Sequence, residues 1–219
     1  VIYNNAQLLQ KCVSTDSEQA DYVESILDST KRLSNLIQNM LKLNKLEKQT
    51  IQPMPETYDV CAQLCDCIIQ FDDSMEKKNI AFEADMEDEA YIYADPGLME
   101  LVWNNLMSNA LKFTPDGGKI RILQKRAENY IQISVSDNGC GMDSEVMKHI
   151  FDKFYQGDTS HATYGNGLGL ALVKRVLELT DGHITVKSKP QKGTTFTVFM
   201  PIAEKVMDMQ QDRTENETV

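Results

Sequence analysis

Two carboxamides and a lysine recur at helical spacing in the stretch WNNLMSNALKFT, residues 103–114: Asn105, Asn109 and Lys112. At about 100° per residue they share one edge of a helix, beside an apolar stripe of Met99, Val102, Trp103, Leu106, Ala110 and Phe113. Three polar groups are thus expected at the rim of a buried face. A carboxamide can ligate a metal or bond a phosphate without adding charge, and a lysine ammonium adds a point charge that suits phosphate. Taken alone, the same residues fit a solvent-facing edge whose lysine snorkels.

More chemistry lies downstream. Asp137-Asn138-Gly139-Cys140-Gly141 follows Ile131, Ile133 and Val135, an alternation that reads as a strand. The Asp137 carboxylate can accept a bond from an amino group, or simply cap the glycine turn, and Gly139 and Gly141 let backbone come close to a ligand. Phe151-Asp152-Lys153-Phe154-Tyr155 follows, then Gly165-Asn166-Gly167-Leu168-Gly169-Leu170 at the mouth of an amphipathic helix. These last glycines do not directly follow a strand, so they are not a dinucleotide fingerprint, and a Walker A loop is absent. They read as a hinge running into a helix whose first amides can hold phosphate oxygens, with a merely flexible loop as the alternative.

The elements that must position these groups can be followed along the chain. Ile2, Ala6 and Leu9 mark 1–12 as the tail of a helix, and 13–18 reads as a capping turn. From 20 to 48 the positions Val23, Ile26, Thr30, Leu33, Ile37, Met40 and Asn44 form a heptad seam, widened by Leu27, Leu36 and Leu41. Such a seam suits a four-helix bundle from two chains, although a helix packed on its own domain gives the same pattern. Pro53 and Pro55 stop the helix and mark a linker. Beyond it we expect a short strand at 57–60, a helix at 62–77 with Leu64, Ile68, Phe71 and Met75 on one side, and strands at 79–83 and 90–94. Asp95-Pro96 caps the asparagine-bearing helix. Hairpins are expected at 119–136 and 183–200, with helices at 144–150 and 168–179. Helices on one side and a largely antiparallel sheet on the other make a two-layer α+β fold. The predicted units are 1–52, 53–203 and a polar tail, 204–219.

With 219 residues, 42% of them hydrophobic, the chain can bury one sizeable core and a smaller element. A net charge of -11 argues against binding duplex nucleic acid, which needs a basic stripe. No apolar run is long enough to cross a bilayer, and no signal peptide is visible. Cys12, Cys61, Cys65, Cys67 and Cys140 lack disulfide or zinc spacing and read as small buried hydrophobes of a reducing compartment. His149, His161 and His183 are scattered.

In order and spacing, the four blocks resemble the catalytic ATP-binding domain of two-component sensor histidine kinases: asparagine box, first glycine box, phenylalanine box and second glycine box. The resemblance covers about residues 57–200, and the preceding helices match that family's dimerisation and phosphotransfer hairpin. It implies an α+β, two-layer α/β sandwich of the Bergerat type shared by histidine kinases, gyrases and chaperone ATPases, preceded by a hairpin that forms a dimeric four-helix bundle. It also implies Mg²⁺ coordination by Asn109 with Asn105 in support, Lys112 on a phosphate, and Asp137 on the adenine amino group. Further ATP contacts carried over are Phe113, Gly139, Gly141, Met142, Phe154, Gly165, Gly167, Leu168, Gly169, Leu170 and Thr195. Phe151, Phe154 and Tyr155 read as packing anchors for a lid over 157–166.

The implied activity is a protein-histidine kinase that uses ATP and Mg²⁺ and passes the phosphoryl group from a histidine to a response regulator receiver domain. The implied partners are a second copy, joined through the N-terminal helices, and that receiver, with no nucleic acid and no membrane contact by this stretch. The implied setting is cytoplasmic, as the cytosolic part of a membrane-anchored bacterial sensor. Two departures stand out. The family's acceptor histidine would fall upstream of Val1, so this stretch has a kinase site without its own acceptor and is expected not to autophosphorylate. Many relatives carry an arginine in the lid, whereas 156–164 holds only His161, leaving γ-phosphate neutralisation to Lys112, Mg²⁺ and a partner. Clamp ATPases of the same fold need a general-base glutamate one turn before the metal asparagine; here that place is Asn105, an amide that cannot take a proton from water. A non-catalytic nucleotide-sensing dimerisation module is a third reading, although Asn105, Asn109, Lys112, Asp137 and the glycines are all present.

Overall fold

The computed structural model describes residues 2–10, 18–48, 52–157 and 166–203; the turn read at 13–18, all but its last residue, most of the lid and the tail fall outside the described residues. Two helices, α1 (Ile2–Gln10) and α2 (Glu18–Glu47), pack on each other, with Ala6 and Val23 buried between elements. Along α2 the seam residues Ile26, Leu33, Ile37 and Met40 stay 44–57% exposed, an uncovered apolar stripe on a 30-residue helix. After the extended linker come β1 (Glu56–Asp59), α3 (Val60–Lys77), β2 (Ala81–Asp85), β3 (Tyr91–Ala94) and α4 (Pro96–Phe113). The remaining elements are β4 (Lys119–Arg126), β5 (Tyr130–Asp137), α5 (Ser144–His149), α6 (Gly169–Leu179), β6 (His183–Lys189) and β7 (Gly193–Pro201).

Five strands form one sheet in the order β2-β4-β5-β7-β6, antiparallel except for the parallel β2–β4 pair, and β1 pairs with β3 in a separate antiparallel ribbon. Period-two alternation sends Ile120, Ile122, Ile131, Ile133, Val135, Phe196, Val198 and Met200 to one face, where α3, α4 and α6 cover them. Hydroxyls and charges such as Ser134, Thr197 and Lys187 occupy the other. This is the two-layer α+β sandwich expected from the pattern. Leu43 and Leu46, near the end of α2, join the same core.

Aspartates set the helix starts. Asp59 accepts from the Cys61 and Ala62 amides at 3.0 and 3.2 Å, and Asp95 accepts from the Leu98 amide at 3.0 Å with Pro96 at the first helical position. The second Asp95 oxygen takes the Met54 amide at 2.8 Å, tying the linker to α4. At the far end of α4, the Lys78 ammonium donates to the Leu111 and Thr114 carbonyls at 2.8 and 2.6 Å, satisfying acceptors that the helix end leaves open. Trp103, wholly buried, donates its indole N–H to Gln63 Oε1 at 2.9 Å, and that oxygen also takes the Tyr58 hydroxyl at 2.8 Å. Both ends of α4 and its middle are therefore held, which fixes the edge that carries Asn105, Asn109 and Lys112.

Three expectations need correcting. Phe113 does not finish the apolar stripe: in the last turn of α4 it is 40% exposed, and the Lys112 ammonium sits 4.4 Å above its ring. Phe154 is no packing anchor, being 57% exposed on a left-handed backbone (φ 63), whereas Phe151 packs on the core. The cysteines divide: Cys61 and Cys67 are buried, with burial pushing their thiols up to about 11 and about 12, while Cys65 and Cys140 are exposed. Cys12 lies outside the described residues. No described helix is long and apolar enough to cross a membrane.

Candidate functional site

A cavity of about 1000 Å³ opens between α4, the turn after β5, the start of α6 and α2. One wall is the polar edge of α4, where Asn105, Ser108, Asn109 and Lys112 line the space with Phe113. Asn105 commits its amide N–H to the Leu101 carbonyl at 2.6 Å, which leaves its oxygen facing Gly169; a Cβ built on Gly169 would sit 2.5 Å from that oxygen. Asn109 has no such tie in the described contacts. Burial pushes the Lys112 ammonium below the ordinary lysine range, so a nearby anion would favour its charged form.

At the opposite end Asp137 closes β5. Its carboxylate accepts the Gly139 amide at 2.8 Å and bonds the Thr194 amide; both bonds lower its pKa, but burial outweighs them and lifts it above the usual carboxylate value. The glycine turn that follows is forced by its neighbours. Gly141 adopts φ +64, and a Cβ there would run into the Lys189 carbonyl; on Gly139 it would meet the Phe113 carbonyl. The Gln191 amide donates to the Cys140 carbonyl at 2.7 Å and the Met142 amide to Ser188 Oγ at 2.8 Å, so the β6–β7 turn braces this loop. Cys140, Gly141, Met142 and Asp143 all line the cavity.

The third wall belongs to the second glycine box. The Phe154 amide donates to the Gly167 carbonyl at 2.8 Å, and Gly167 itself has φ +65, with Phe154 backbone where a Cβ would stand. This contact couples the phenylalanine box to the entrance of α6. Helices α3, α4 and α5 each begin with an aspartate cap, but the N-cap of α6 is Leu168, which makes no side-chain cap bond; the Asn166 side-chain oxygen accepts the Leu168 amide at 3.2 Å, just before the helix.

The structure therefore brings Asn105, Asn109, Lys112, Phe113, Asp137, Gly141, Met142, Gly167, Gly169 and Leu170 to one cavity. Leu168 and Gly139 are buried behind the lining, Phe154 is not among the lining residues, its backbone lying against Gly167 while its ring faces solvent, and Gly165 is outside the described residues. Thr195 is a correction: its hydroxyl bonds Ser136 at 3.0 Å on the outer face of the sheet, and Thr194, one residue earlier, lines the cavity with Phe196. Strand parity could have shown this, because Thr194 shares a face with the apolar Phe196, Val198 and Met200. Sequence reasoning also missed Arg32, Asn35 and Asn39 of α2, which line the cavity across from α4.

Residues 94–204 match the sequence model of the Histidine kinase-, DNA gyrase B-, and HSP90-like ATPase family, just over half of the chain. The chain belongs to that family. Residues 1–49 match the His Kinase A (phospho-acceptor) domain, and the two domains in this order make a sensor histidine kinase core. Among similar proteins, the sensor-like histidine kinase SenX3 of Mycobacterium bovis is 32% identical over 182 residues, covering 82% of this chain and 44% of its own. The chain thus spans less than half the length of this curated relative. Full-length ShkA, solved in complex with AMPPNP, superposes with a TM-score of 0.75 at 25% identity over 92% of this chain and 42% of that one. The Acinetobacter baumannii histidine kinase AdeS shares the fold with a TM-score of 0.70, at 23% identity, over 92% of this chain and 93% of its own.

Proposed function

We propose that this chain is the ATP-dependent kinase core of a two-component sensor, transferring the γ-phosphate of MgATP to a histidine of its dimerisation helices for relay to an aspartate of a response regulator receiver. The observation that carries this reading is the character of the α4 edge. It offers two carboxamides and a lysine, and no carboxylate stands one turn before Asn109 where a hydrolase needs a general base. A histidine acceptor needs none, since a neutral imidazole is itself the nucleophile.

Each part of the nucleotide has a matching group. Asp137 is placed to accept from the adenine amino group, and Gly141 admits the base beside the backbone. Lys112 and the uncapped amides of α6 suit the phosphates. No group of three or more His, Cys, Asp or Glu able to hold a metal occurs among the described residues, so no all-protein metal cage is available there. Mg²⁺ fits this donor set as an ion carried by the phosphates that takes one oxygen from Asn109, because it keeps most of its waters and needs few protein ligands. The AMPPNP in the similar structure of ShkA supports nucleotide binding at this fold.

The exposed seam of α2 supports homodimerisation through the N-terminal helices, with the kinase core in the cytoplasm and anchored to a membrane by other parts of a longer protein. The test is γ-labelled ATP supplied to a longer chain that includes the family's acceptor histidine. Label appears on the protein and is lost in Asn109→Ala. Steady ATP hydrolysis without label on protein would instead establish a clamp ATPase, and nucleotide binding with neither product would establish a sensing module.

A further inference from the structure

Helix α2 carries a second stripe besides its seam. Arg32, Asn35, Leu36, Asn39, Leu43 and Leu46 fall on one face of the helix, turned away from Ile26 and Ile37, with Leu33 at the edge of the cavity beside it. The upper four line the nucleotide cavity, and Leu43 and Leu46 are buried in the core of the catalytic layer. The lower end is pinned. Arg175 of α6 donates from Nη2 to the Leu46 carbonyl at 3.2 Å, and the Lys153 ammonium of the phenylalanine box lies 2.6 Å from Glu47 Oε1. Because α2 is one continuous helix, that anchorage fixes Arg32, about 21 Å further up at 1.5 Å per residue, at the mouth of the cavity.

Charge at the cavity gives this placement its meaning. Among the described lining residues the cations are Lys112 and Arg32, set against the carboxylates of Asp137 and Asp143, on a chain whose net charge is -11. Among the described lining residues the catalytic layer thus offers a triphosphate one half-buried lysine, Lys112. We propose that Arg32, delivered by α2, is the residue that contacts the terminal phosphate of bound ATP, supplying a second cation beside Lys112. The assignment rests on the MgATP reading of the cavity. A guanidinium presents a planar fork of donors that matches two phosphate oxygens, and the Asn35 and Asn39 amides, one and two turns further along the same face, add neutral donors. The pairing of Arg32 with Asp28 at 3.9 Å, with both side chains about half exposed or more, is long and solvent-screened. A shift of α2 relative to α6 then changes the grip on ATP but not on ADP, which couples the position of α2 to the γ-phosphate.

The test is titration calorimetry of the full chain with MgATP and with MgADP, for wild type, Arg32→Ala and Arg32→Lys, with thermal melts confirming that the variants fold. Arg32→Ala is expected to weaken MgATP by about tenfold and MgADP by less than about twofold, with Arg32→Lys in between. Equal weakening of both nucleotides, or of neither, overturns the proposal while leaving the nucleotide reading intact. Failure of the wild-type chain to take up either nucleotide overturns that reading, and the proposal with it.

Discussion

Replacing Asp137 with asparagine separates recognition of the base from everything else in the cavity. Its carboxylate already accepts the Gly139 and Thr194 amides, and an asparagine oxygen can keep the 2.8 Å bond to Gly139. On the proposed MgATP reading, what the variant loses is a charged acceptor for the adenine amino group. A charge-assisted hydrogen bond contributes about 1.5–3 kcal/mol, so affinity should fall by about ten- to a hundred-fold. The loss should be the same for ATP, ADP and AMP, which share the base, and absent for magnesium tripolyphosphate, which has none.

The sign of the pH dependence follows from burial. Because burial raises the Asp137 pKa, the carboxylate takes up its proton at a higher pH than an ordinary aspartate. Wild-type adenine-nucleotide affinity should therefore fall on acidification before other carboxylates titrate, and the Asp137→Asn profile should be flat in that window. Stability moves the other way. A folded-state pKa above the unfolded one means that ionised Asp137 weakens the empty fold above that pKa, a penalty that disappears below the unfolded value. The variant should thus melt no lower than wild type at neutral pH, and any advantage should shrink in acid. Calorimetry of the nucleotide series with parallel melts checks both; undiminished AMP binding by the variant would refute the assignment of Asp137.

Three further outcomes follow from packing. Leu46→Ala empties a fully buried site between α2 and the catalytic layer and should cost about 2–5 kcal/mol in denaturant unfolding, with faster amide exchange in the second half of α2. Gly141→Ala forces a left-handed backbone on a residue with a Cβ and drives that atom against the Lys189 carbonyl; about 2–4 kcal/mol is expected, together with weakened nucleotide binding in calorimetry. Trp103→Phe removes the 2.9 Å bond to Gln63 and part of a filled core, so stability should fall by about 1–3 kcal/mol while nucleotide affinity holds, because Gln63 lies outside the cavity lining.

Much of the fold was legible because it is local. The Asp95-Pro96 start of α4, the β4–β5 hairpin and the amphipathic face of α6 all depend on residues within a turn or two of one another. The individual misreadings mark where that locality ends. Phe113 has the right spacing for the core, but it falls in the last turn of α4, where the helix leaves the sheet behind. Phe154 is an anchor by residue type alone, yet the left-handed turn that brings its amide to Gly167 points its ring outward. The lining role of Thr194 was within reach of strand parity, and the resemblance selected its neighbour instead.

By itself the sequence determined which groups are available and on which local edge: two carboxamides and a lysine along one helix, an aspartate before a glycine turn, and a second glycine box opening another helix. Periodicity carries that much, because 3.6 and 2 residues per repeat place side chains without reference to the rest of the chain. Only the tertiary structure decided that β2 lies parallel to β4, that Thr195 faces away from the cavity, and that the inner stripe of α2 forms its wall. Those outcomes depend on contacts between residues far apart in sequence, such as Arg175 with the Leu46 carbonyl, and no spacing rule encodes such a contact.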